Sequence, residues 1–517
     1  MSAIITDQFR ILNAKNFLSS VSSTQNSYYT FVGLPNPSSV LSNWDADPPS
    51  HKDSFNDENI CWETMMSLKK INSDDVRLVI PKITWSSGRV YDYYRNDYSI
   101  SNRPKVSDSS TLYTSFFYVL NSDYRVYICL ENGTNPENEN GKPSLDEPKF
   151  IDLEPRPAGS SNDGYIWKYL YTIKPSDIVK FESTDYIPVP SDWETSLENA
   201  PVRNNAIDGS IKTVIIKNRG VSVGAGNQIY RNVPIKGDGT GAECTIITNS
   251  EQKVESIIIT NQGSGYTFGS VDLVAGGITT FDTRPIFDVI ISPKGGHGAD
   301  IYRELGAFNA LIYSRLENDV QNPDFIVGNQ ISRVGIINNP KVSNGSILSS
   351  DKASALYALK LTGSSYNSAV FTPDSLITQT IGTGITAAGK VISYDQNTGV
   401  LKYWQDRSIV GFATTDGSQQ TNPSYGFNLN EFTSSILTGG SLVISGNSGG
   451  TLTIDSGFTG IETTINNKKY YLGQNFVSGV SQPEVQKYSG NIIYVDNRPS
   501  ITRSSNQKED IKVILQF

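Results

Sequence analysis

Two stretches of this chain, IKTVIIKNRGVSVG (211–224) and VESIIITNQGSGYT (254–267), repeat one pattern at an offset of 43 residues. Ile211 matches Val254, Val214 matches Ile257, Ile216 matches Ile259, Asn218 matches Asn261 and Gly220 matches Gly263. The pattern leaves little room for anything but β-structure. Its β-branched side chains are stiff at χ1 and suit a pleated surface. The Asn-x-Gly that ends each run calls for a turn with positive φ, which glycine adopts without steric cost. Two copies define a small duplicated β module, fewer than a repeat solenoid requires.

The same texture extends through most of the chain. At 517 residues, about three domains are expected at roughly 150 residues each. From 341 to 480 the sequence is rich in Ser, Thr, Gly and Asn, with short alternating apolar runs such as SLVISG and TLTIDSG. In KVISYDQNTGVLKYW, Asn397-Thr398-Gly399 separates two such runs and predicts a hairpin. The first 200 residues read differently and hold five of the six tryptophans, Trp44, Trp62, Trp85, Trp167 and Trp193. Here the pattern predicts a helix capped by Asp7, with Phe9, Leu12 and Phe17 near one face. It predicts a second helix from 57 to 70, with Cys61, Met65 and Leu68 on one stripe. Strands are expected at 76–80, 113–119 and 125–130, followed by a long polar loop over 131–148. The end of the chain reads as a strand, a proline-containing turn at Asn497-Arg498-Pro499, a loop and a closing strand with Ile511, Val513 and Leu515 on one side.

The fold class is therefore mainly β with a few helices, a multidomain, β-sandwich-like core carrying inserted β-rich domains. The expected divisions are a core domain at 1–206, the inserted duplicated module at 207–282, a core continuation at 283–340, an inserted Ser/Thr/Gly-rich domain at 341–480, and strands returning to the core at 481–517.

Charge and chemistry exclude more than they identify. Lys+Arg is 43 against Asp+Glu 52, a formal net charge of −9. No basic stripe is present for nucleic acid, and no polybasic patch for a membrane surface. No run approaches the 18 apolar residues of a spanning helix, and the N-terminus lacks the pattern of a secretion signal. Cys61, Cys129 and Cys244 are too few and too scattered for a disulfide framework, which fits a soluble chain folded in a reducing cytoplasm.

His51 and His297 are the only histidines, and both sit in polar or glycine-rich text that reads as surface loop. No catalytic, cofactor-binding or metal site is assigned, and no small-molecule substrate is expected. The stretch Gly384 to Lys390 has phosphate-loop spacing. Val391 replaces the hydroxyl that would meet magnesium, and the lysine enters a strand pattern, so the match is read as chance. GDGTGAE (237–243) lacks the alternating acidic ligands of a calcium loop and is read as a glycine turn. The aromatic segment VYDYYRNDY (90–98) reads as a surface or interface strand, because Tyr and Arg are favoured at buried interface centres.

Four stretches resemble the gene product eight family, the dimeric wedge proteins of the contractile-tail baseplate in T-even-type bacteriophages. They are ITDQFRILNAKNFLSSV; DDVRLVIPKITWSSGRVYD with Pro81 and Trp85; DGYIWKYLYTI followed by DYIPVP, with Asp163, Gly164, Tyr165, Trp167 and Tyr169; and FIVGNQISRVGIINNP taken with the closing stretch that contains Asn497, Arg498 and Pro499. The two stretches between, about 207–280 and 341–480, depart from the family pattern and read as insertions of an enlarged, cyanophage-like form. The resemblance implies a homodimeric structural subunit, not an enzyme. It implies a place in the virion's tail baseplate, other wedge proteins as partners, a part in the shape change at contraction, and assembly in the host cytoplasm. Two rival readings stand beside it. One is a receptor-binding or adhesin-like tail protein, normally trimeric, drawn from the Ser/Thr/Gly-rich region. The other is a carbohydrate-cleaving tail enzyme, which would need two carboxylates about 5–10 Å apart in a cleft.

Overall fold

The computed structural model describes residues 6–36, 43–99, 102, 106–317, 330–405, 430–502 and 508–517. The chain divides into two compact units, each discontinuous in sequence. The first takes the N-terminal residues to Leu18, Val76–Ile312 and Val513–Phe517; the second takes Ser19–Asp75 and Tyr313–Lys512. Residues 325–329 of the fourth family stretch, 503–507 of the closing stretch and 406–429 of the Ser/Thr/Gly-rich region lie outside the described residues.

Strands dominate both units, as the alternating patterns predict. In the first unit a three-stranded antiparallel sheet joins Tyr118–Leu120, Arg125–Asn132 and Tyr165–Thr172. The duplicated module supplies the first repeat strand, Ile211–Asn218, paired with Ile286–Ile291. The second repeat strand, Val254–Ser264, lies at the edge of a four-stranded sheet with Thr240–Thr248, Ile229–Gly237 and Gly269–Val271. Ile211, Val233, Ile235, Cys244, Ile246 and Val254 form its core. The first helix, Asp7–Ser22, meets the C-terminal residue within this unit: Arg10 Nε donates to the Phe517 carbonyl at 2.5 Å, and the Phe17 and Phe517 rings lie 5.5 Å apart.

The second unit is built on a five-stranded sheet in the order Lys352–Ser354, Met65–Ile71, Tyr28–Gly33, Gln330–Asn338 and Asn491–Thr502. Its Ser/Thr/Gly-rich part folds as a seven-stranded sheet around Leu359, Leu361, Ile377, Leu401 and Tyr403. The expected hairpin is present, between Ile385–Asp395 and Val400–Trp404, and Gly399 takes φ +69° there. Lys390 lies inside the first of these strands, so the phosphate-loop spacing has no helix behind it.

Several local expectations fail for physical reasons. The second helix stops at Thr64, and Met65–Ile71 is a strand. Leu68 registers against Phe31 on one side and Ala353 on the other, so sheet pairing overrides the helical propensity of Met, Leu and Lys. In the first helix, Asp7–Ser22, the buried positions are Ile11, Ala14 and Val21, whereas Phe9 and Leu12 are exposed. The 113–119 strand shortens to Tyr118–Leu120 behind a 3-10 turn.

Candidate functional site

Side chains of the sequence motifs gather at two places, one in each unit. In the first unit they surround the long polar loop after Arg125–Asn132. The strand Tyr165–Thr172 presents Tyr165 and Trp167 on one face, two residues apart, as strand periodicity requires. Both are fully buried, and their rings stack at 5.3 Å with an interplanar angle of 14°. Tyr91 closes the group edge-on, 5.8 Å from Trp167 and 6.4 Å from Tyr165. Such geometry follows the ring quadrupole, positive edge toward negative face.

Polar atoms of this group secure the loop. The Tyr165 hydroxyl donates to the Lys142 carbonyl at 2.8 Å and accepts from the Tyr91 amide at 2.9 Å. Burial raises its pKa above the usual tyrosine value, so it remains a donor. The Asp163 carboxylate accepts from the Leu145 amide at 2.8 Å and the Tyr165 amide at 3.0 Å. Trp85 is half-buried, and its indole N–H donates to the Ser144 hydroxyl at 3.1 Å. Pro81 is exposed at a strand end, but its carbonyl accepts from the Tyr118 hydroxyl at 2.7 Å. Tyr169 lies edge-on to Tyr127 at 5.8 Å, away from the loop group.

Gly164 has a specific steric role. Its φ is +88°, and a Cβ built there would lie 2.8 Å from the Cα of Gly133. Gly164→Ala is expected to cost about 1–3 kcal/mol from the left-handed backbone alone, before the clash is counted. A denaturant midpoint unchanged from wild type would contradict this.

The second place is in the other unit. Asn497-Arg498-Pro499 does not form a turn between strands; it lies inside the continuous strand Asn491–Thr502. The register against Gln330–Asn338 shifts there: Asn497 faces Arg333, yet Ile501 faces Ile331. The motif is a bulge on an edge strand, where a proline costs no ladder bond. Arg333 is 2 % exposed, and burial lowers its pKa from the usual arginine value. Its guanidinium donates to Asn497 Oδ1 at 2.8 Å, to Asn36 Oδ1 at 2.5 Å and to the Thr64 hydroxyl. Residues 43–50 dock on the bulge from outside. Trp44 Nε1 donates to the Arg498 carbonyl at 2.7 Å, Asp45 accepts from the Ser500 amide at 2.9 Å, and Asn497 donates to the Pro49 carbonyl at 2.8 Å.

Arg498 itself pairs with Asp496, but 66 % of its side chain is exposed. A wet ion pair contributes about 0–1 kcal/mol. Arg498→Ala should therefore shift the melting temperature little; a fall as large as that of a core substitution would contradict the assignment.

Sequence reading missed Arg333, although it is the lone charged residue in the strand Gln330–Asn338. It also missed the loop carbonyl of Lys142 and the hydroxyl of Ser144, which no side-chain pattern advertises. Two further expectations are corrected. His297 is 4 % exposed, and its Nδ1 lies 2.5 Å from Glu304 Oε1, with the Tyr94 ring at 4.8 Å. The segment 90–98 is neither strand nor surface through its centre. Tyr91, Tyr93, Tyr94 and Arg95 are buried, and Arg95 is held by Asp288 at 2.5 Å and by Asp97. Its aromatic content is spent on the core of its own unit.

Among the described residues no group of three or more His, Cys, Asp or Glu is placed to hold a metal, and no helix is long and apolar enough to cross a membrane. Both motif groups tie loops to sheets; neither assembles a nucleophile with a base.

Comparison with known proteins agrees with the motif resemblance. Residues 3–146 match the family model described as Bacteriophage T4, Gp8. That span takes in the first helix, Pro81, Trp85 and most of the polar loop, and ends before Asp163. The chain is also similar to the baseplate wedge protein gp8 of Enterobacteria phage T4, at 26 % identity over 225 residues, covering 39 % of this chain and 64 % of that relative. The chain thus spans somewhat under two thirds of that relative's length.

Proposed function

We propose that this chain is a structural subunit of the baseplate wedge in a contractile phage tail. It acts as a homodimer that links neighbouring wedge proteins, takes part in baseplate assembly in the host cytoplasm, and carries load through the shape change at contraction. The observation that carries this reading is the family match over residues 3–146. It is supported by the use of the motif side chains: they anchor a loop of 131–148 and a docked segment of 43–50, which fixes surface shape instead of building a reaction centre. In this reading Pro81, Trp85, Asp163, Gly164, Tyr165, Trp167, Asn497, Arg498 and Pro499 are structural residues, the regions 207–282 and 341–480 are insertions in a wedge core, and the chain has no enzymatic activity.

The test is co-expression with other baseplate wedge proteins of the same phage, followed by size analysis. Co-migration in one complex is expected; separate elution of every component would count against the wedge role. The mass of the isolated chain decides the remaining rival: two copies fit the wedge reading, and three fit an adhesin-like tail protein.

A further inference from the structure

The two repeat strands, alike in sequence, run side by side in opposite directions and share one apolar core, but their backbones are hydrogen-bonded to each other only at their ends. Near one end the Gly265 amide donates to the Asp208 carbonyl at 2.8 Å and the Tyr266 amide to the Gly209 carbonyl at 3.1 Å. At the other end the Val254 amide donates to the Arg219 carbonyl at 2.9 Å. Between these bonds no ladder connects Ile211–Asn218 to Val254–Ser264; each pairs only with its other neighbour. The open seam is a groove of about 420 Å³.

Its walls are chemically uneven. Along the second repeat strand, Ile257 and Ile259 are half-buried and Ile258 is 53 % exposed, so three consecutive isoleucines remain partly wet. At the far end Gln262 Oε1 is buried without a hydrogen-bond partner. Opposite stands Glu131, at a register shift between Arg125–Asn132 and Tyr165–Thr172. Among the described residues, the only hydrogen bond to its carboxylate is from the Thr213 hydroxyl, and it has no ion pair. Burial raises its pKa, the mark of a carboxylate without a countercharge. Lys212, on the same wall, does not supply one, because its ammonium is paired with Glu154 at 2.7 Å.

We infer that this seam receives a short extended segment of another protein, one that pairs with the free edge of the second repeat strand and places a lysine or arginine against Glu131. An open strand edge offers backbone donors and acceptors in register, and alternate side chains then enter pockets on one face. The isoleucines suit apolar partner residues. The unpaired carboxylate selects a basic residue over a neutral or acidic one, because a buried charge pair repays its desolvation only with a good partner. The end bonds limit the guest to the few residues that span Ile257 to Gln262. This inference does not rest on the wedge reading; a groove of this kind would serve any assembly partner.

The test uses the full chain at 150 mM salt and three fluorescein-labelled hexapeptides, read by anisotropy. One alternates Val and Lys, one alternates Val and Glu, and one is the lysine peptide with a proline in the third position. The lysine peptide should bind saturably. The glutamate and proline peptides should bind at least tenfold more weakly, the first through charge and the second through loss of a ladder bond. Glu131→Gln, which keeps a partner for Thr213, should weaken the lysine peptide at least tenfold. A single charge among a net −9 would not produce that drop through non-specific attraction. If Glu131→Gln fails to fold, Ile258→Lys at the exposed groove position tests the same contact by adding a repelling charge, and the same tenfold loss is expected. Absence of saturable binding, equal affinity for all three peptides, or a lysine-peptide affinity untouched by the folded variant would each overturn the inference.

Discussion

Trp167→Ala should lower the stability of the first unit by about 3–5 kcal/mol, the range for truncating a buried large aromatic. The indole is fully buried between Tyr165 and Tyr91. Its N–H has no hydrogen-bond partner, so the loss is one of packing. Its backbone is bonded in both directions to Arg156, which the substitution leaves in place. Collapse of the site is limited, because Tyr165 and Tyr91 are held by their own hydroxyl bonds to Lys142 and Ser86. A cavity that cannot close is the costly kind. Trp167→Phe keeps a ring in the slot and should cost roughly 1–2 kcal/mol, since a smaller cavity remains. Chemical denaturation followed by near-ultraviolet circular dichroism separates the two variants. A loss below about 1 kcal/mol for the alanine variant would mean that the aromatic group is not the core of the loop anchor.

That anchor was partly legible in the sequence. DGYIWKYLY is legible as a family motif, and the strand it forms puts Tyr165 and Trp167 on one face. The glycine after Asp163 announces a backbone position without a Cβ. What the text does not carry is the third ring: Tyr91 comes from a segment whose aromatic density looks like an interface and is in fact interior. Local composition cannot distinguish the two, because both surfaces exclude water.

Likewise His297 lies among glycines, which reads as a loose loop. The glycines instead let the chain turn tightly enough to bring the ring to Glu304, and Gly296 and Gly298 take φ of +94° and +89°. The helix predicted over 57–70 stops at Thr64 because a neighbouring strand, Tyr28–Gly33, takes Met65–Ile71 as its partner. The repeat at 211–224 and 254–267 did predict two strands. Their open seam depends on where each finds its ladder partner, and no single-strand pattern encodes that.

The second large effect is expected at Arg333. Two terms oppose each other there. Removing a buried guanidinium relieves its desolvation, which in some proteins makes an apolar replacement neutral or even stabilising. Removing it also strands the acceptors on Asn497, Asn36 and Thr64. An acceptor left buried without a donor costs about 1–3 kcal/mol, and the low end applies to Asn36 and Asn497, which are half-buried, whereas Thr64 is buried. Three acceptors against one relieved charge favour a net loss, and Arg333→Ala adds a cavity, so a fall of about 3–5 kcal/mol is expected for the second unit. Arg333→Met fills the volume and isolates the polar term. It should still lose roughly 2 kcal/mol or more, whereas a neutral or stabilising result would show that desolvation dominates. Arg333→Lys should not rescue, because one ammonium cannot replace a fork of donors spread over three partners.

The loss should be coupled to the bulge. Arg333 and Asn497 face each other across two strands, so the double variant with Asn497→Ala should fall short of the sum of the single losses by about 0.5–3 kcal/mol. Trp44 reports on the same event. Its indole is 5 % exposed, bonded to the Arg498 carbonyl and 5.5 Å from the Arg333 guanidinium. If Arg333 holds the bulge on which residues 43–50 dock, Arg333→Met should open Trp44 to acrylamide quenching under native conditions. A destabilised variant in which Trp44 stays shielded would show that the docked segment is held by Asp45 and Pro49 alone.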